Sequence, residues 1–297
     1  MASESGANAP LPDVPSAERT VREVNGVELH AVVAGDENDP LVVLLHGFPE
    51  FWYEWREYVG PFVEAGYRVL VPDQRGYNRS ERPDGVSPYR ISELSRDVAD
   101  LVGSEDRERA HVVGHDWGAA VAWDLALRHP DCLDRLGIIN VPHPTVFDAV
   151  LRSNLAQVRK SWYIFFFQLP RLPEWYVSRD EFAFMVTAME KARPDAFDAT
   201  DFERYRSAWA EDGALTAMIH WYRALVRHGE DPPRERVAAP TLVVWGENDQ
   251  ALVPELAPRS LEYCEDGRLE RFPDATHWIP HEHPDRVADL LLDHLGS

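Results

Sequence analysis

An aspartate set between two glycines, Gly114-His-Asp116-Trp-Gly118, follows directly on the β-rich run Ala110 to Val113 and precedes a helical pattern. Gly-x-Asp-x-Gly at a strand-to-helix junction has the spacing of a nucleophile elbow, with aspartate where serine usually stands. The glycines let so tight a turn pass without a side chain striking the neighbouring strand or helix. Such a turn lifts the Asp116 carboxylate above the carboxyl edge of a sheet, beside the positive end of a helix dipole. A carboxylate with an ordinary pKa near ~4 is already ionised at neutral pH and needs no base to activate it. It suits displacement at an sp³ carbon, with an ester as intermediate, and is poorly suited to hydrolysing ordinary esters or amides. Taken alone, the pattern also describes a buried, capped aspartate in any strand–helix turn.

Three further features are expected to converge on Asp116. Asp249 lies in Trp245-Gly-Glu-Asn-Asp249, a turn following a strand, and His277 lies in Asp274-Ala-Thr-His-Trp278, a loop after the last strand. Each has a plain structural reading by itself, but the order nucleophile, acid, histidine is the α/β-hydrolase order. His46-Gly-Phe-Pro49 ends the first buried strand and can set the N–H of Phe48 opposite that of Trp117, a two-donor oxyanion hole. The turn is also a place for a cis bond before Pro49.

The elements that must position these residues alternate. Thr20 to Val24, Asn25-Gly26 and Val27 to Val33 predict a hairpin with a type I′ turn. Leu41 to Leu45, Tyr67 to Val71, Ala110 to Val113, Leu136 to Val141, Pro240 to Trp245 and Arg268 to Phe272 read as strands, several buried on both faces. Helices are expected at Ile91 to Val102 and around Pro284 to Leu295. This rhythm predicts an α/β fold with a mostly parallel, eight-stranded sheet covered by helices on both faces. It breaks between about 143 and 231, where only helical periodicity remains, at Val146 to Lys160, Asp180 to Ala192, Asp201 to Glu211 and Ala214 to Arg227. The expected organisation is a mobile N-terminal tail over 1–18, a core over 19–142 and 232–297, and an inserted helical cap over 143–231.

At 297 residues the chain can bury a full core. It has no apolar run of about 18 residues, so no membrane span is expected, and its N-terminus lacks the basic and apolar regions of a signal peptide. Cys132 and Cys264 are its only cysteines, which offers neither a disulfide framework nor a metal cluster and points to the cytoplasm. The net charge is −21, and Lys160 and Lys191 are the only lysines. Self-repulsion of that size is screened by concentrated salt. A halophilic cytoplasm is the expected setting; a GC-rich genome with an acidic bias is the other explanation. Either way, nucleic acid and anionic membranes are not expected partners.

Taken in register, several motifs resemble the epoxide hydrolases of the α/β-hydrolase superfamily, over roughly residues 20 to 295. They are His46-Gly-Phe-Pro-Glu50 with Trp52-Tyr53 and Trp55-Arg56, Arg75-Gly-Tyr77, Gly114-His-Asp-Trp-Gly118, Asn140-Val-Pro-His-Pro144 and Gly246-Glu-Asn-Asp249. The resemblance implies catalysis by Asp116, Asp249 and His277 without metal or organic cofactor. It implies two cap tyrosines that hydrogen-bond the epoxide oxygen, matched by Tyr163 in Trp162-Tyr-Ile-Phe-Phe-Phe-Gln168 and by Tyr222 in Trp221-Tyr-Arg223; Tyr205 and Tyr176 are further candidates. Ring opening creates an alkoxide, which a phenol can stabilise or protonate. His46, Trp52, Trp117 and Phe167 are the expected substrate contacts, and the expected substrate is a small apolar epoxide, turned over by a monomer or homodimer. Haloalkane and haloacetate dehalogenases share most of these motifs, so a dehalogenase is the alternative. The chain departs from the pattern at Asn78, where glycine is common. Some relatives carry an N-terminal membrane anchor where this sequence has a polar tail, and a soluble protein is expected. Lys160 and His143 resemble family residues and are expected to be structural.

Overall fold

The computed structural model describes residues 9–296. Its strands are β1 (Glu18–Val24), β2 (Val27–Ala34), β3 (Leu41–Leu45), β4 (Arg68–Pro72), β5 (Ala110–His115), β6 (Leu133–Ile139), β7 (Thr241–Gly246) and β8 (Gly267–Phe272). They form one sheet in the order β1-β2-β4-β3-β5-β6-β7-β8. The β1–β2 and β2–β4 pairs are antiparallel and the remaining pairs parallel. β1 and β2 join through Asn25 and Gly26, both at positive φ, as a type I′ turn requires. β3, β4 and β7 are buried along their whole length. That explains their unbroken apolar sequences, since a strand covered on both faces has no solvent side to alternate toward. Each enclosed Val or Leu contributes about 1.5–3 kcal/mol relative to an exposed one.

The covering helices are α1 (Arg56–Glu64), α2 (Ile91–Ser104), α3 (Trp117–Arg128), α4 (Pro144–Ser153), α5 (Leu155–Lys160), α6 (Trp162–Phe166), α7 (Leu172–Val177), α8 (Ala183–Met189), α9 (Ala199–Trp209), α10 (Ala214–Arg227), α11 (Leu256–Leu261), α12 (Ile279–Glu282) and α13 (Pro284–Gly296). Helices α4 to α10 all lie between β6 and β7 in sequence. Where one helix is expected over Val146 to Lys160, Asn154 breaks it: its backbone turns extended, and its side chain accepts the N–H groups of Ala156 and Gln157 to start α5. The segment Asp180 to Ala192 likewise opens with Asp180, Glu181 and Phe182 at positive φ and becomes helical only at Ala183. α9 starts before the expected Asp201, because Asp198 and Asp201 form a capping box.

Residues 1–8 of the expected mobile tail lie outside the described residues. Over 9–17 the chain packs onto the body: Ala9 is buried, Leu11 and Val14 rest on the core, and Arg19 donates to the Ala9 carbonyl at 2.5 Å. The polar composition of this stretch hid its few apolar anchors. Both cysteines are free thiols, and no helix of the described residues is long and apolar enough to cross a membrane.

Candidate active site

Asp116 sits between β5 and α3 with φ 47° and ψ −123°, a backbone conformation that a side-chain-bearing residue holds only at a cost. The glycines around it make this possible. A Cβ on Gly114 would strike the Gly118 carbonyl, one on Gly118 would strike the Leu45 carbonyl at the end of β3, and one on Gly47 would strike Asp116 itself. The carboxylate thus stands at the N-terminus of α3 with the β3–α1 loop pressed against it. The Phe48–Pro49 peptide in that loop is cis, and the Phe48 N–H donates to Asp116 Oδ1 at 2.7 Å. Trp117 is the first residue of α3, where an N–H has no acceptor within the helix.

His277 lies between two carboxylates. Its Nε2 is 3.3 Å from Asp116 Oδ2 and its Nδ1 is 2.7 Å from Asp249 Oδ2. Asp249 is itself held on all sides: Oδ1 accepts the N–H groups of Ala251 and Leu252, and Oδ2 also accepts Asn140 Nδ2 at 2.7 Å. Burial would raise both aspartate pKa values, but His277 and the N–H donors outweigh it and hold both below the usual range. Burial would lower His277, yet Asp249 and Asp116 together raise it well above an ordinary imidazole. The ring thus sits between two carboxylates, an arrangement that favours its charged form.

Tyr163 on α6 and Tyr222 on α10 lie close enough to the same carboxylate to feel its charge. Their rings are 5.7 Å apart, and Tyr222 packs edge-on against Phe48 and Trp117 at 5.3 and 5.1 Å. Burial raises both phenol pKa values and the charge of Asp116 raises them further, so both hydroxyls keep their protons.

A family model described as the alpha/beta hydrolase fold matches residues 40–284. The AB hydrolase superfamily protein YfhM of Bacillus subtilis is 45% identical over 276 residues, covering 92% of this chain and 96% of its own. Epoxide hydrolase 1 of Caenorhabditis elegans is 35% identical over 277 residues, which span 91% of this chain and 68% of that protein. The chain belongs to the epoxide hydrolase family of α/β-hydrolases. A crystal structure of a Bacillus megaterium epoxide hydrolase variant, complexed with its product (R)-3-[1]naphthyloxy-propane-1,2-diol, superposes on this hydrolase with a TM-score of 0.86. That match is at 30% identity and covers 94% of this chain and 100% of the other.

Some residues expected at the site of this epoxide hydrolase family member stand behind it instead. His46 is fully buried: its Nε2 accepts the Gln74 N–H and its Nδ1 donates to the Gly47 carbonyl, so it fixes the loop after β3 and has no face for a substrate. Trp52 is 1% exposed, packed against Phe51 and Tyr53, with its N–H on Asp73. Phe167, 0% exposed, backs the aromatic wall behind Phe48 and Tyr222. Aromatic residues beside a motif look the same in sequence whether they line a site or support it. Trp162, Phe165 and Trp175 of the aromatic-rich helices are more than half exposed. Of the further tyrosines, Tyr176 is exposed and Tyr205 donates to Glu50 Oε1 at 2.5 Å.

Apart from Lys160, expected to be structural, sequence reasoning missed the supports of the loops that carry Asp116, Asp249 and His277. Asn140, at φ 50°, donates to Asp249 and to the Thr276 carbonyl and accepts the Gly246 N–H, tying the acid turn to the histidine loop. The Lys160 ammonium donates to the Asp249 main-chain carbonyl at 2.6 Å. Glu50 bridges Tyr205 and His281, 2.7 Å from the latter, and His281 above all holds it down to about 2 against its burial. Trp209 Nε1 donates to the Pro49 carbonyl at 2.5 Å, so α9 grips the loop that carries Phe48.

Proposed function

We propose that this hydrolase opens small apolar epoxides to vicinal diols through an ester on Asp116. The pair of protonated phenols, Tyr163 and Tyr222, set against one ionised carboxylate carries this reading. Residues 143–231 act in it as a cap on a core formed by 19–142 and 232–297. The name of the Caenorhabditis elegans relative and the diol bound by the Bacillus megaterium enzyme support it.

Asp116 Oδ1 is tied to the Phe48 N–H, so Oδ2, 3.3 Å from His277 Nε2, is the oxygen that attacks an epoxide carbon. The C–O bond breaks, and the departing oxygen takes a proton from Tyr163 or Tyr222. Once Asp116 is an ester, one of the two charges that raised His277 is gone. Its proton becomes available to the tyrosinate, and the freed imidazole is a base. His277, oriented by Asp249, then takes a proton from water, and the hydroxide attacks Cγ of Asp116. The oxyanion forms on Oδ1 against the N–H groups of Phe48 and Trp117. Collapse expels the diol oxygen, which takes the proton from His277, and the carboxylic acid proton restores the imidazolium. Side chains and water supply every step.

Product analysis with styrene oxide and bromoacetate in parallel, in concentrated KCl, tests the reading: diol without bromide is expected. Bromide without diol would make Trp117 a halide ligand and the enzyme a dehalogenase. The indole of Trp221 beside it donates to the Arg75 carbonyl and is not free to serve as a second halide donor. Tyr222→Phe is expected to slow ester formation about 10- to 100-fold with little change in KM, since Tyr163 remains to share the alkoxide. Rapid-quench measurement of ester formation checks it; a raised KM at an unchanged rate would reduce Tyr222 to a binding group.

A further inference from the structure

Glu54 takes no part in the chemistry above, yet its fully buried carboxyl joins three catalytic segments. Its Oε2 accepts the Gly47 N–H at 2.8 Å, one residue before the oxyanion donor Phe48. Its Oε1 lies 2.8 Å from His115 Nδ1, one residue before Asp116. On the far side of the same ring, His115 Nε2 lies 2.9 Å from the main-chain carbonyl of His277.

Proton positions follow from that chain. A carbonyl only accepts, so His115 Nε2 carries hydrogen and, in a neutral ring, Nδ1 presents a bare lone pair. Glu54 Oε1 must then be the donor, which makes Glu54 a carboxylic acid. The surroundings agree: burial first, then the charges of Glu50 and Asp116, raise Glu54 well above an ordinary carboxyl, while burial and the nearby charge of His277 lower His115 to about 4. Glu50 Oε2 stands 3.9 Å from the same His115 Nδ1, so an ionised Glu54 would place a second buried anion beside the first. Glu50, Glu54 and His115 also bring ligand atoms within 4.8 Å of one another, but the hydrogen-bonded acid already uses Nδ1 and both Glu54 oxygens.

We propose that Glu54 is a positioning residue that works as a neutral acid, bracing the oxyanion loop, the nucleophile turn and the histidine loop for hydrolysis of the ester. The proposal rests on the ester mechanism above.

The test follows ester formation and ester hydrolysis separately with styrene oxide, by quench and intact-protein mass, in Glu54→Gln, Glu54→Asp and Glu54→Ala beside His277→Gln. The glutamine amide donates to Nδ1 and accepts from Gly47, so both steps should stay within about 3-fold of the parent enzyme. Asp, one methylene short, and Ala lose the brace. Ester should accumulate in both, with hydrolysis slowed about 30- to 100-fold and formation little changed, as loop misplacement predicts. Gln as impaired as Ala, or hydrolysis unchanged in Asp and Ala, would overturn the proposal; should Ala not fold, the contrast between Gln and Asp decides. Loss of activity to a chelator, restored by a divalent cation, would also overturn it in favour of a metal at this cluster. If His277→Gln traps no ester, it is the mechanism, not the role of Glu54, that has failed.

Discussion

Asp116→Ala is expected to lower diol formation by at least about 10⁴-fold while the protein still folds. The first half follows from chemistry: Asp116 is the carboxylate whose charge acts on both Tyr163 and Tyr222, and Asp249, which also acts on Tyr163, is tied up by His277, Asn140 and two N–H groups. The second half follows from the backbone, since Asp116 holds a positive φ that alanine also bears poorly, but the glycines at 114 and 118 still let the turn form. Removing a buried anion also releases His277 from one of its two partners. The imidazole pKa should therefore fall in this variant, which NMR titration of the ring reads directly. Diol formation near the parent rate would end the nucleophile assignment.

His277→Gln should leave ester formation working and stop its hydrolysis, so that the protein gains the mass of one bound substrate and turns over no further. The same residue sets the pH dependence. In the free enzyme two carboxylates hold its pKa above the ordinary value. In the ester one of them is neutral, so the group titrates lower. Hydrolysis of the isolated ester should thus rise with pH and level off below the pH at which the free-enzyme imidazolium titrates. Asp116, held below the ordinary carboxyl range, stays ionised through that window and does not limit ester formation there. A variant that turns over without any adduct would remove His277 from water activation.

The features of this site that were legible in sequence are those set by local chain geometry. The runs at Leu41 to Leu45 and Ala214 to Arg227 coincide with β3 and α10, because continuous burial and helical periodicity each leave a one-dimensional trace. Gly114 and Gly118 announce the elbow because no other residue fits there. The supporting groups leave no such trace. Asn140, Glu54 and His115 act through partners more than sixty residues away or on another strand's loop, and only the fold brings them together. Polar residues of this kind look like solvated surface until their burial is known. The placements of His46 and Trp52 erred for the converse reason: a motif names the neighbourhood of a site but not which side chains point outward.

The grip of α9 on the loop after β3 bears on modular engineering. Tyr205 and Trp209 hold Glu50 and the Pro49 carbonyl, and Tyr53 OH donates to Asp201 at the start of the same helix. A chimera that swapped in a foreign 143–231 segment alone would strand those polar groups inside the protein. The transplantable unit is that segment together with Pro49, Glu50, Tyr53 and His281, and a library on α10 must keep Trp221, whose indole fastens that helix to the Arg75 carbonyl.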